Sequence, residues 1–185
     1  MNKKLETATL AGGCFWCTEA IFKRLKGVES VLSGYAGGNV ENPSYDQVCS
    51  GTTGYSETIQ IEFDPDTIPY EKILDVFWHT HNPTTLNRQG NDVGQQYRSV
   101  IFYHNSQQKE IAKQSKKEID KEKIYKDPIV TQIVPFTNFY TAEDYHKDYY
   151  DKNQNAPYCN FVISPKIQKL LVKYSSEVKG EYKIR

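Results

Sequence analysis

The sequence has no net charge, no long apolar run and no internal repeat. Lysine plus arginine number 23, as do aspartate plus glutamate. That balance gives no reason to expect nucleic acid or an anionic membrane as partner. No stretch approaches the ~20 apolar residues that a membrane-spanning helix needs. The first residues, MNKKLETATLAGG, are basic but lack the apolar centre of a secretory signal. The expected location is therefore the cytoplasm, where thiols stay reduced. Only four cysteines are present, and there they are expected to be catalytic, metal-bound or buried rather than a disulfide framework. No glycine-rich nucleotide fingerprint occurs, so no cofactor is expected. Low-complexity tracts and an interdomain linker are missing too. The 185 residues read as one domain, long enough for a sizeable core.

What is present begins with GGCFWC, where two thiols, Cys14 and Cys17, enclose Phe15 and Trp16. Apolar positions from Cys14 through Thr18, Ile21, Phe22 and Leu25 recur at helical spacing, so the helix runs over 14–25 and stops at Gly27. A strand, ETATLAGG, precedes it. Further strands are read at VESVLSGYAGG, YSETIQIEFDP, RSVIFYHN and PIVTQIVPF. Helices are read at PYEKILDVFWHTHNP, at SQQKEIAKQSKKEIDKEKIY with Ser106 as its N-cap, at TAEDYHKDYYDKN, and in the tail from Ser164. The order strand, helix, strand, strand, helix, strand is that of the ferredoxin-like α/β plait, a split βαβ arrangement in the α+β class. An additional strand, peripheral helices and long loops decorate it. A thioredoxin-like or doubly wound sheet is the alternative.

Cys14 follows two glycines and opens a helix, where amide donors favour an anion. Such a thiol ionises more readily and suits a nucleophile; the alternative is a small buried residue at a turn. Cys17 lies one helical turn on, so a disulfide between them is geometrically possible. As half of a zinc site the pair lacks a second close pair of ligands. Cys49 reads as a buried structural thiol. Cys159, in NAPYCNFVISP, reads as a loop thiol able to swing.

In YSETIQIEF the odd positions Tyr55, Glu57, Ile59, Ile61 and Phe63 share one face. Glu57 is the one polar member, so its carboxyl points to the core side. Burial raises the pKa of such a group and leaves a neutral acid able to donate a proton. Asp92 and Tyr97 lie in a glycine-flanked loop, RQGNDVGQQYRS.

Taken together, GGCFWCTEAIF, GYAGG, NPSYDQVCSGTTGYSE, FWHTHNPTT, RQGNDVGQQYRS and AEDYHKDY resemble the A-type peptide-methionine sulfoxide reductases, from about Thr7 to about Cys159. The resemblance implies a plait-type fold over a single domain, 1–185, with its motifs within about 7–160 and a helical tail over about 164–185. It implies reduction of the S epimer of methionine sulfoxide, free or in proteins, by a monomer needing no metal. Cys14 is then the nucleophile, and Phe15 and Trp16 form the wall that takes the substrate methyl group. Glu57 is the acid at the sulfoxide oxygen, Tyr45 and Tyr97 add hydroxyl donors, Asp92 helps bind substrate, and His146 lines the rim. Cys159 is the resolving cysteine, Cys17 a possible second one, and thioredoxin the reductant. Cys17 stands where many relatives have glycine and Asn82 where many have aspartate, and the tail YCNFVISPK is not glycine-rich. These departures bear on recycling and leave the first chemical step intact. The rival readings are a CxxC thiol–disulfide oxidoreductase and a zinc-binding module.

Overall fold

The computed structural model describes residues 4–183. Its element order is β1 (Glu6–Gly12), α1 (Phe15–Phe22), β2 (Val28–Ala36), α2 (Tyr45–Cys49), β3 (Ser56–Phe63), α3 (Tyr70–Thr80), β4 (Arg88–Gln89), β5 (Asp92–Val93), β6 (Ser99–Tyr103), α4 (Ser106–Lys121), β7 (Gln132–Pro135), β8 (Phe139–Thr141), α5 (Tyr149–Lys152) and α6 (Ser164–Lys173). The first three residues and the last two, which belong to the basic N-terminus and the tail read above, lie outside the described residues.

Six strands form one mixed sheet in the order β7-β6-β1-β3-β2-β8. All neighbouring pairs are antiparallel except β6 with β7. The central strands β1, β3 and β6 are buried on both faces over most of their length, whereas β7 and β8 at the edges are only partly buried. On β1, Ala8 and Leu10 join the main core with Ile59, Ile61 and Phe63 of β3 and Ile73, Leu74 and Phe77 of α3. Ala11 points the other way, to a smaller cluster with Ala36, Val100 and Phe102. Burying each large apolar side chain is worth about 1.5–3 kcal/mol, so this double-sided packing fixes the centre of the sheet firmly. The site grows from that centre, where β1 ends and α1 begins.

The structure corrects several sequence expectations. Two strands, β7 and β8, extend the sheet, where one was expected. The segment 141–153 is not one helix: Thr141 ends β8, a 3₁₀ turn spans Asp144–His146, and only Tyr149–Lys152 is α-helical. Asn105, not Ser106, caps α4, its side chain accepting the Gln108 amide at 2.8 Å. Cys159 is not in a loop but opens a π-helical turn, Cys159–Ile163, that runs into α6. Cys49 is half-buried rather than enclosed.

Candidate active site

Cys14 is the N-cap of α1. It is 7% exposed and a free thiol. Gly13 before it adopts φ +93°, open to glycine at little cost. A Cβ there would lie 2.5 Å from Gln89 Cγ, so any side chain would expel the β4–β5 hairpin from the site. Gln89 is itself fixed by two 3.0 Å bonds to the Asn82 backbone.

Glu57 reaches this turn from β3. It is 2% exposed, and its Oε2 accepts the Phe15 amide, the first free N–H of the helix, at 3.0 Å. Burial nevertheless pushes its carboxyl up to about 8, with the Asp92 charge acting in the same direction and the Phe15 amide opposing both. The acid is therefore protonated at neutral pH. Ser56 and Thr58 are fully buried too; the strand alternates as the sequence implies, but neither face meets water here.

Burial also pushes the Cys14 thiol well above its ordinary value, aided by the hydrogen bond to Cys17 and by Glu57. This reverses the expectation that a helix start would ease its ionisation: in the free enzyme, burial outweighs the helix amides. The Cys17 thiol moves down to about 6, chiefly because Cys14 bonds to it and also because Lys166 of α6 is near. Of the two, Cys17 is the one more readily ionised. Cys159 is fully buried in the same apolar cluster as Cys14 and Cys17. Burial and the Cys17 charge raise its thiol.

A cage of rings surrounds the thiols. Phe15 packs on Tyr35, Tyr45 and His146, with centroids 5.9, 6.5 and 4.9 Å away. Trp16 stacks flat on Tyr149 at 3.6 Å and meets Tyr158 edge-on at 5.8 Å. Its Nε1–H donates to His146 Nδ1 at 3.0 Å. His146 is 1% exposed, and burial lowers its pKa. The neutral ring therefore carries its hydrogen on Nε2, which faces Glu143 Oε2 at 3.9 Å. Tyr97 packs against the cysteine cluster, and burial above all holds its hydroxyl protonated. Tyr45 lies at the start of α2, and burial together with Cys49 raises its pKa.

The structure thus brings together all ten residues that the sequence nominates. Sequence reasoning missed Tyr158, whose hydroxyl donates to Asp92 Oδ2 at 2.7 Å and lies 3.9 Å from Cys17 Sγ. It also missed Tyr149 and Glu143. Glu143 takes the Tyr35 hydroxyl at 2.7 Å and the Tyr45 amide at 2.9 Å. Burial raises its pKa, but these two donors outweigh it and hold the carboxyl below its usual range. Both residues fall in AEDYHKDYY, whose cluster of acids and rings was the available signal.

Three thiols gathered beside one protonated acid on a mixed α/β scaffold mark a cysteine-dependent oxidoreductase. The profile of the family described as "Peptide methionine sulfoxide reductase" matches residues 6–179, and the chain belongs to that family. It is 55% identical over 175 residues to peptide methionine sulfoxide reductase MsrA of Saccharolobus solfataricus, covering 95% of this chain and 98% of that one. With an MsrA of Thermus thermophilus it shares 52% identity over 171 residues, 92% of this chain and 96% of the relative. Among solved structures, reduced Mxr1 of Saccharomyces cerevisiae superposes with a TM-score of 0.77 at 36% identity, covering 84% of this chain and 90% of that one. Mxr1 in complex with Trx2 superposes with a TM-score of 0.55 at 27% identity over 80% of this chain and 87% of that one.

Proposed function

We propose that this protein reduces the S epimer of methionine sulfoxide, free and within proteins, through Cys14, and that thioredoxin regenerates it. The observation that carries the proposal is the meeting of Cys14 with a buried, protonated Glu57 at the ring-walled start of α1.

Sulfoxide enters with its methyl group against Phe15 and Trp16 and its oxygen toward Glu57. The Cys14 proton passes to Cys17, and the Cys14 thiolate attacks the substrate sulfur. Glu57 protonates the oxygen as the S–O bond weakens, with the Tyr45 and Tyr97 hydroxyls stabilising charge there. Asp92, held by Tyr158, helps orient the substrate, and His146 fixes Trp16. The oxygen passes to Cys14, giving a sulfenic acid, and methionine departs. Cys159 then condenses with the sulfenic acid, releasing water and forming a disulfide. Cys17 is a second relay thiol. Thioredoxin dithiol reduces the disulfide by exchange; the likeness to the Mxr1–Trx2 complex supports that partner. Cys159 sits in a buried π-helical turn packed in the same cluster as Cys14, so closing the bond draws on that turn.

The strand order β6-β1-β3-β2, with every pair antiparallel, supports the ferredoxin-like plait as the core of one domain spanning 1–185. No helix among the described residues is long and apolar enough to cross a membrane, and the protein acts as a cytoplasmic monomer. A second reading, a CxxC thiol–disulfide oxidoreductase, draws on the packing of Cys14 and Cys17, one helical turn apart, in one cluster.

One equivalent of S sulfoxide given to wild type should release one methionine per chain, and Cys14→Ser should release none. Insulin disulfide reduction without methionine release by the wild type would favour the second reading instead.

A further inference from the structure

Glu19 is a buried acid that the chemistry above does not use. It is 3% exposed, on the face of α1 one turn beyond Trp16. Both of its carboxylate oxygens accept the Asp148 amide, at 3.2 and 3.1 Å. Asp148 stands at φ +55°, ψ +32°, a left-handed conformation that a side chain makes costly. The next residue, Tyr149, is the ring stacked on Trp16 at 3.6 Å and 7°. Salt bridges fasten the same stretch: Lys23 binds Asp148 and reaches Asp151 at 2.6 Å, and Arg24 meets Asp151 at 2.6 Å. Those pairs are partly exposed and modest in strength. Glu19 itself is buried, and its bond acts on the strained residue directly.

We infer that Glu19 is a positioning residue for the methyl-binding wall: by holding the Asp148 amide it fixes Tyr149 against Trp16. Trp16 then has two supports, His146 at its Nε1 and Tyr149 on its face, and α1 anchors the second through its own next turn. Burial raises Glu19 to about 7, against the pull of the Asp148 amide and of Lys23 and with the push of Asp148 and Asp151. Protonated or ionised, it keeps an oxygen lone pair for that amide.

The inference rests on the proposed reading of Trp16 as the substrate wall, and wild-type methionine release checks that reading separately. Steady-state kinetics with free S sulfoxide and dithiothreitol are measured for Glu19→Ala, Glu19→Gln and Tyr149→Ala and for the double variant Glu19→Ala/Tyr149→Ala. Glu19→Ala should raise KM by about tenfold, the scale of one hydrogen bond to a charged group, with kcat within about twofold of wild type. Glu19→Gln keeps an acceptor for the amide and should restore KM. In the Tyr149→Ala background, removing Glu19 should change KM by less than about twofold, because contacts in one network are not additive. Glu19→Asp withdraws the carboxylate by one methylene and carries the same expectation should the alanine variant not fold. An equal rise in KM with and without Tyr149, or a fall in kcat at unchanged KM, would overturn the inference.

Discussion

The floor of the site is held by backbone, and its wall is held by side chains. Cys14 and Glu57 stand where β1 passes into α1 beside β3, inside a sheet whose centre is packed on both faces. The wall of Phe15 and Trp16 is backed by residues 142–163, a succession of a 3₁₀ turn, one turn of α-helix and a π-helical turn. It stays in place through Glu143 on Tyr35 and Tyr45, Glu19 on Asp148, and Lys23 and Arg24 on Asp151. The difference suits the two tasks. Oxygen transfer needs atoms fixed within fractions of an ångström, which a sheet supplies. The proposed recycling closes a bond between Cys14 and Cys159, and a segment of short turns allows the rearrangement this needs at lower cost.

The largest expected effect separates the two regions. Cys159→Ser alters only the wall, so one equivalent of sulfoxide should still release one methionine per chain. Turnover with thioredoxin should then stall, whereas dithiothreitol, which reduces a sulfenic acid directly, should sustain it. Full thioredoxin turnover through a Cys14–Cys17 disulfide would show instead that the floor recycles itself. The next effect lies in the floor. Glu57→Ala should slow the first methionine release by on the order of 10²–10⁴-fold, the usual contribution of a general acid. Wild-type release should also decline as pH rises past about 8 and Glu57 ionises. A rapid-quench measurement at pH 6 and pH 9 checks both, and a pH-independent alanine variant at near-wild-type rate would remove the acid role.

The same contrast explains what was legible in the sequence. The floor is local: a strand running into glycines, a helix-start cysteine and an alternating strand put Cys14 and Glu57 on the right sides by period alone. The wall is not. Trp16 and His146 bond across 130 residues, and no periodicity reports that Tyr149 will lie flat on an indole. The asparagines and the two prolines around Cys159 read as a loop because they usually break helices. Here Pro165 sits at the start of α6, where a proline costs nothing, so the turn before it continues into the helix. Cys49 misled because Val48 beside it is buried; adjacent helix positions are turned ~100° apart, so one neighbour's burial says little about the other. The Cys14 titration was misjudged because helix amides are visible in sequence and the burial that outweighs them is not.

The smallest expected effect is thermodynamic and again divides floor from wall. Glu57 ordinarily titrates at 4.5 and at about 8 in the fold, so the folded state holds its proton more tightly than the unfolded chain. Stability from this group is fully present below pH 4.5 and is lost as pH rises through about 8. Glu143 and Asp151, whose folded values are depressed, lend stability above the ordinary carboxylate range and lose it as pH falls. Glu143 and Asp151 should therefore weaken their hold on the wall in acid, while Glu57 in the floor and Glu19, raised to about 7 at the wall's anchor on α1, lose stability in base. Other groups act within the Glu57 window: His81, buried and neutral with a value near 4 against 6.5, adds stability as pH rises between those values. Subtracting Glu57→Gln from wild type cancels such common contributions and isolates the floor. One pKa unit is worth about 1.4 kcal/mol, and an effective interior dielectric near 20 damps the sum. The wild type should lose on the order of 1–3 kcal/mol relative to Glu57→Gln between pH 5 and pH 9. Urea midpoints for the two proteins across that range measure it. A difference that stays constant with pH would mean that Glu57 is charged in the folded protein and that the floor holds no protonated acid to give.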